Sequence, residues 1–263
     1  MWLPKFLSEL DKVTGLGRVI IHYGISSDDT IDILKKWSKE TSLEAEFFLD
    51  PVTMSAKSSA SIGSLYRDYQ RIVSETSSCS HVLLPDSDLV KFPKNLVETL
   101  LKHDKDIVAP YPYVYLHDKP CRIFYDTYCF RLKGFRFHPL KPPRNNGQLM
   151  QLDSVGTCML VKHKPFLDTS YGDPYPHMKF CDESRAKGYE VWADPSTIVW
   201  HVDLQQLGVE PHTQHEVLEA AAKGDPDPYS KACKVKYIRD DGSTVSSVEI
   251  LQDLVDAYVY GRV

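Results

Sequence analysis

Residues 81–93 read HVLLPDSDLVKFP. Val82, Leu83 and Leu84 run into a proline, and Asp86 and Asp88 follow one residue apart. An apolar run ending in Asp-Ser-Asp has the form of a buried strand that delivers carboxylates to its end. Side chains alternate with period two along an extended chain, so the two aspartates face the same side. Carboxylates placed this way suit Mg²⁺ or Mn²⁺, hard cations that take oxygen ligands and share them with substrate phosphates. In isolation the same triplet is also an ordinary polar turn.

The segments on either side decide between these readings. Residues 18–23 (RVIIHY) form a β-branched run that ends at Gly24, a first strand. Asp28 or Asp29 caps a helix to about residue 39, with Ile31, Leu34 and Trp37 at helical spacing. Residues 45–49 are a second strand, and 58–74 an amphipathic helix. Residues 81–84 are a third strand, 95–103 a helix, and 107–109 a fourth strand stopped by Pro110 and Pro112. This alternation predicts an α/β fold, a mostly parallel central sheet flanked by helices. Ligands of such sheets collect at the carboxyl ends of the strands. Asp86 and Asp88 stand at one of those ends, which favours a site over a turn.

The second half is more irregular. Residues 121–137 (CRIFYDTYCFRLKGFRF) read as a hairpin or extended ribbon, 138–150 as a Pro/Asn/Gly loop, and 154–162 as a strand. A helix over 177–187 ends at Gly188, a suitable residue just past a helix end. Residues 189–192 and 197–202 are strand-like, and WHVD at 200–203 puts His201 at a strand end. A lone histidine is more often a satisfied core or surface residue. As a ligand it completes an Asp86, Asp88, His201 metal set with positions left for phosphate. A charged appendage follows: a helix, the loop GDPDP, a hairpin around Asp241-Gly242 and a helix near 248–258. The division is therefore 1–203 for the main domain and 204–263 for the appendage, which offers a route to self-association.

At 263 residues the chain can bury a large core, and its apolar (42%) and charged (25%) fractions are those of a globular protein. A net charge of -5 argues against a polyanion-binding protein as a whole but leaves room for a local basic patch. The six cysteines form no CxxC pair and no zinc-like grouping with histidine. Most lie in apolar runs, so they read as reduced and structural, which implies a cytoplasmic or other intracellular setting, a host compartment if the protein is viral. MWLPKFLSELDKV is too short and too charged for a signal peptide, and no later run reaches the length of a membrane span.

Three segments together resemble a known family. HVLLPDSDLVKFPKNLVETLLKHDKDIVAPYPY (81–113) is similar to the metal-binding stretch of GT-A glycosyltransferases, family-2-like. LDSVGTCMLVKHKPF (152–166) resembles their acceptor-side strand, and FCDESRAKGYEVWADPSTIVWH (180–201) their later helix, Asp-Pro turn and terminal histidine. A similar layout occurs in fungal Golgi mannosyltransferases. The resemblance covers roughly 60–203. It implies a GT-A fold and a nucleotide-sugar donor, UDP- or GDP-linked, with Mn²⁺ or Mg²⁺. It implies Asp88 and His201 as metal ligands, with Asp86 on the ribose or on the metal through water. Arg67 would contact the nucleotide sugar, Gly24 would border the base pocket, and Asp153 would face sugar or acceptor.

One departure from the family pattern bears on catalysis. Many inverting relatives carry Glu-Asp just before the Phe-Cys helix, whereas this chain has Pro176 and His177. His177 or Asp153, or else Asp182 or Asp173, is then the candidate general base. A retaining enzyme would need none. The chain is thus expected to move a sugar to an acceptor hydroxyl on a glycan, a small molecule or a modified nucleic-acid base. Residues 117–145 carry Lys119, Arg122, Arg131, Lys133, Arg136, Lys141 and Arg144 interleaved with aromatics. This composition suits single-stranded nucleic acid or a sugar phosphate, and equally a hairpin with its rings packed inward. The missing acidic pair leaves a second reading, a non-catalytic glycan- or nucleic-acid-binding module. A nucleotidyltransferase is disfavoured, because no Gly-rich basic loop follows the first strand.

Overall fold

The computed structural model describes residues 2–24, 28–50, 59–76, 79–116, 119–172, 175–202, 236–246 and 249. Its first unit is a βαβ crossover. β1 (Arg18–Gly24) and β2 (Glu44–Asp50) pair in parallel, with α2 (Thr30–Glu40) between them. α2 buries Leu34 and Trp37. The Trp37 indole donates to Asp11 (2.8 Å), as does the Thr41 hydroxyl (2.6 Å), which ties α2 to the end of α1 (Leu3–Leu10). α1 buries Phe6, Leu7 and Leu10.

The central sheet has seven strands. Along its main path lie β3 (His81–Pro85), β10 (Cys158–Lys162), β5 (Ile107–Leu116), β11 (Val191–His201) and β4 (Leu89–Lys91). β6 (Lys119–Phe124) adds to β5, and β9 (Met150–Gln151) to β11. β5 and β11 are parallel, and β3 runs the same way, because β10 pairs antiparallel with both β3 and β5. The sheet is mixed rather than mostly parallel. The apolar pattern of SVGTCMLVK fixes a strand but not its direction, and the long excursion before β10 returns the chain from the opposite end.

Both faces of the sheet are covered, by α3 (Ser59–Thr76), α4 (Leu96–Leu101), α5 (His163–Asp168) and α6 (Pro176–Ala186) together with α1 and α2. The alternation of side chains shows it. Ile107, Ala109, Tyr111, Met159 and Val161 belong to one core, while Val108, Cys158 and Leu160 belong to the other. Among the described residues no helix is long and apolar enough to cross a membrane.

Two strand limits differ from expectation. β5 does not stop at Pro110 but runs on to Leu116, with Pro110 and Pro112 in register against Asp194 and Val199 of β11. The register shifts between Asp194 and Ile198, and a proline at such an irregularity costs the ladder little. The same bulge joins the two short strands expected at 189–202 into the single β11.

A second, four-stranded sheet takes the order β13-β12-β8-β7 from β7 (Arg131–Leu132), β8 (Phe135–Phe137), β12 (Lys236–Ile238) and β13 (Thr244–Ser246). The hairpin at Asp241-Gly242 is formed, with Gly242 at φ +81 and Ser243 N donating to Asp241 (2.9 Å). It does not stand apart from the main body. β12 pairs with β8, and Ile238 packs into the same core as Phe124, Phe130 and Phe137. The rings of the basic ribbon therefore largely face inward. The remainder of the expected appendage, both helices and the GDPDP loop, lies outside the described residues.

Candidate metal centre and its cavity

Three backbone contacts assemble the site. At the end of β3, Asp86 N donates to Thr157 O (2.7 Å) and Leu89 N donates to Asp86 O (3.2 Å), closing a turn that reverses into β4. β4 pairs antiparallel with the end of β11, placing His201 opposite Leu89. Val202 N then donates to Asp88 O (3.2 Å). The result puts His201 Nε2 2.7 Å from Asp88 Oδ1, with His201 buried and Asp88 half open to solvent. Potential ligand atoms of Asp86, Asp88 and His201 all lie within 4.8 Å of one another. Tyr125 stacks on the His201 ring (centroids 3.5 Å, planes 13° apart), fixing its orientation.

Beneath this group lies a further carboxylate. Asp126 is buried and accepts hydrogen bonds from Cys129 N (2.8 Å) and Thr157 Oγ1 (2.8 Å). Burial pushes the Asp86 carboxyl well above the usual carboxylate range, and the charges of Asp88 and Asp126 push it further. Asp126 is also raised, by burial first, although its hydrogen bonds oppose the shift. Carboxylates gathered in a partly dry place repel one another unless a cation joins them. The donor set, two carboxylates and an imidazole, fits Mn²⁺ or Mg²⁺ with positions left for phosphate oxygens.

The site opens on a cavity of about 1130 Å³ between β1 and β3. Arg18 to His22 of β1 line one wall, and β3 with Asp86 and Ser87 lines the other. Tyr66, Tyr128, Tyr175 and His177 also line it. The Tyr66 hydroxyl and His177 Nε2 are 2.6 Å apart. Burial raises Tyr66 well above the ordinary phenol range, and the nearby Asp86 charge adds to it. Burial also lowers His177 to about 4. Both groups are neutral at pH 7; the phenol donates to Nε2 when the imidazole proton is on Nδ1, and Nε2 donates to the phenol oxygen in the other tautomer. Tyr66 is held in turn by a stack with Tyr171 (4.3 Å), which stacks on Phe180 (4.3 Å).

The structure brings together Asp86, Asp88 and His201, and puts His177 on the same cavity. It engages the other expected residues elsewhere. Asp153 accepts from Gly134 N (2.6 Å) at the β7–β8 turn and faces Arg185 at 3.6 Å. Asp182 is exposed on α6 and pairs with Arg185 (2.8 Å). Neither is among the residues that line the cavity. Arg67 donates to Tyr171 O (3.0 Å), tying α3 to the segment before α6. Gly24 ends β1 opposite Asp50, and among the described residues no atom lies within 4 Å of where its Cβ would stand. Asp173 lies outside the described residues.

Asp126, Tyr66 and Tyr125 escaped the sequence reading. Asp126 lies inside the ribbon at 121–137, with no strand end or spacing in the sequence to mark it. Gly156 carried a signal, since a Cβ there would stand 2.6 Å from Asp126 Oδ2 and 2.7 Å from Cys129 Cβ. The Val-Gly-Thr of β10's approach is glycine because the Asp126 turn lies against it.

No protein-family model matches the chain, and no curated protein matches it. Solved structures do. A structure of GalNAc-T7 with UDP, GalNAc and Mn²⁺ aligns over 81% of this chain at 12% identity with a TM-score of 0.53. This chain spans 44% of the length of that one. A197 from STIV aligns over 87% of this chain and 93% of that one (10% identity, TM-score 0.41). HddC from Yersinia pseudotuberculosis aligns over 88% and 82% (15% identity, TM-score 0.42). The GalNAc-T7 match and the sheet order define the fold: a mixed α/β domain with a GT-A fold. Within that fold the chain carries a candidate Asp-Asp-His metal centre.

Proposed function

We propose that the protein is a metal-dependent glycosyltransferase that moves a sugar from a UDP- or GDP-sugar to an acceptor hydroxyl. The observation that carries this reading is the convergence of Asp86, Asp88 and His201 beside a cavity of about 1130 Å³. GalNAc-T7, whose fold is similar, was crystallised with UDP and Mn²⁺, which supports a nucleotide donor here. Asp88 and His201 would hold the ion, with Asp86 beside them. When bound, the ion supplies Lewis-acid neutralisation of the departing diphosphate. Tyr125 orients His201 by stacking, and Asp126 fixes the Thr157 end of β10 against the Asp86 turn.

His177 acts through Tyr66. Its Nε2 is occupied by the Tyr66 hydroxyl, so a proton leaving an acceptor hydroxyl reaches the imidazole by way of that phenol. The same observation favours a second reading, a binding module without turnover, because an imidazole held near 4 is a weak base.

Thermal melting with Mn²⁺ and UDP or GDP tests the donor site. The two ligands together should raise Tm, by the equivalent of ~2.7 kcal/mol at a hundredfold excess over Kd. Asp88→Ala should remove that rise, and retention of it in the variant would sink the metal assignment. Release of nucleoside diphosphate from a nucleotide sugar separates enzyme from module.

A further inference from the structure

Two tyrosines stand where the cavity meets solvent. Tyr175 is 50% exposed, and it lines the same cavity as Asp86 and His177. Its backbone lies in the left-handed region (φ 70, ψ 63), which a bulky L side chain avoids. It occupies the N-cap of α6 yet makes no side-chain capping bond, so helix stability does not account for it. Backbone strain at an exposed ring beside a cavity points to use of the ring. Tyr128 packs against it, the centroids 5.1 Å apart and the planes at 58°, so that the two rings form a V whose hydroxyls share a hydrogen bond.

Arginines stand behind Tyr128. The Arg136 guanidinium lies 4.6 Å from the ring centroid and that of Arg131 5.9 Å. These arginines are direct cross-strand partners in the β7–β8 hairpin. Arg131 Nε donates to Tyr128 O (3.3 Å), and the two guanidiniums gathered on this one cavity-lining tyrosine concentrate positive charge suited to an anion.

We infer that Tyr128, Tyr175, Arg131 and Arg136 form the acceptor subsite, and that the acceptor is an anionic saccharide, a sugar ring carrying a phosphate. The word acceptor rests on the glycosyl-transfer reading above; the ligand chemistry does not. The sugar ring lies against the tyrosine V, whose mixed apolar faces and hydroxyls suit a pyranose. The phosphate meets the arginine pair. A nucleic-acid strand fits less well, because it needs stacking platforms and cations along several nucleotides. Phe124, Phe130 and Phe137 of the same ribbon are buried in the core, and the Arg144 side chain donates to Tyr113 (3.2 Å).

Calorimetric titration of the full chain tests this, using mannose 6-phosphate, glucose 6-phosphate, the two neutral hexoses, inorganic phosphate and a ten-residue oligothymidylate. At least one hexose phosphate should bind about tenfold or more tighter than its neutral hexose and than phosphate alone. Tyr175→Ala, at an exposed position, should weaken that hexose phosphate about tenfold while leaving inorganic phosphate unchanged. Arg136→Gln should erase the preference for the phosphorylated sugar. Arg136→Gln, outside the cavity lining, should keep the melting rise with Mn²⁺ and nucleoside diphosphate. Absence of saturable hexose-phosphate binding, equal binding by hexose phosphate and phosphate, indifference to both substitutions, or tighter binding of oligothymidylate would each overturn the inference. Failure of the wild type to respond to Mn²⁺ and nucleotide instead defeats the donor reading and leaves these titrations interpretable.

Discussion

At the scale of single residues, chemistry was legible where it sat at strand ends. Asp86, Asp88 and His201 follow runs whose apolar pattern fixes where the strand stops, so their grouping could be argued before any coordinate. Asp153, Asp182 and Arg67 could not be placed that way, because whether a charged residue faces a cavity or an Arg185 depends on neighbours distant in sequence. His177 lies between these cases. It was singled out by its position just before the Phe-Cys stretch, but its bond to Tyr66, 111 positions away, could not be read there. That bond has a measurable consequence. Burial lowers His177 from an ordinary value of 6.5 to about 4, so between those values the unfolded chain binds a proton that the folded chain refuses. Stability from this residue is full above about pH 6.5 and falls as pH drops towards 4. The loss reaches on the order of 2 kcal/mol by pH 5. Urea unfolding at pH 7.5 and pH 5 should show a smaller difference for His177→Gln than for wild type. Equal differences would mean that the imidazole is not held neutral.

At the scale of elements, α2, α3, β1, β2 and β3 were readable because period and length both spoke for them, whereas β5 was readable only in its first three residues. β4 was not. Three residues long, it lies inside the stretch DLVKF and shows no period of its own, yet its pairing with β11 is what brings His201 to Asp88. The junction of β10 with the Asp126 turn was equally hidden, since it depends on an approach of two backbones. Gly156 is the test of that junction. A methyl group there would meet Asp126 Oδ2, Cys129 Cβ and Cys129 Sγ at 2.6, 2.7 and 2.9 Å. These atoms belong to a buried turn that Thr157 and Cys129 hold in place, so they cannot swing away as a flexible side-chain end would. Gly156→Ala should therefore cost roughly 1–3 kcal/mol of stability by overpacking. It should also weaken the response to Mn²⁺ with nucleotide, because Thr157 O is the acceptor for Asp86 N. Unfolding midpoints and melting shifts measured on one preparation check both. Full stability with an undisturbed metal response would show that the junction yields more easily than its distances imply.

At the scale of the whole molecule, the fold class followed from alternation, but not the way the sheet is divided. β1 and β2 form a two-stranded sheet of their own, while β3 belongs to the seven-stranded one. The cavity lies between the two sheets, with β1 as one wall and β3 with Asp86 as the other. A two-stranded sheet is marginal alone and depends on what packs around it. A nucleotide bound to an ion at Asp86, Asp88 and His201 would occupy this cavity and touch both walls, replacing water between them. Binding should therefore steady β1 and β2 more than the interior of the large sheet, which is already closed on both faces. Hydrogen exchange read by mass spectrometry offers the measurement. With Mn²⁺ and nucleoside diphosphate, amides of residues 19–23 and 45–49 should exchange about tenfold or more slowly, whereas those of residues 107–111 and 158–161 should change little. Asp88→Ala should abolish the difference. Protection confined to the 86–88 turn, with β1 and β2 unaltered, would mean that the ligand sits at the metal centre without entering the cavity, and the donor would then have to lie along the β11 side of His201.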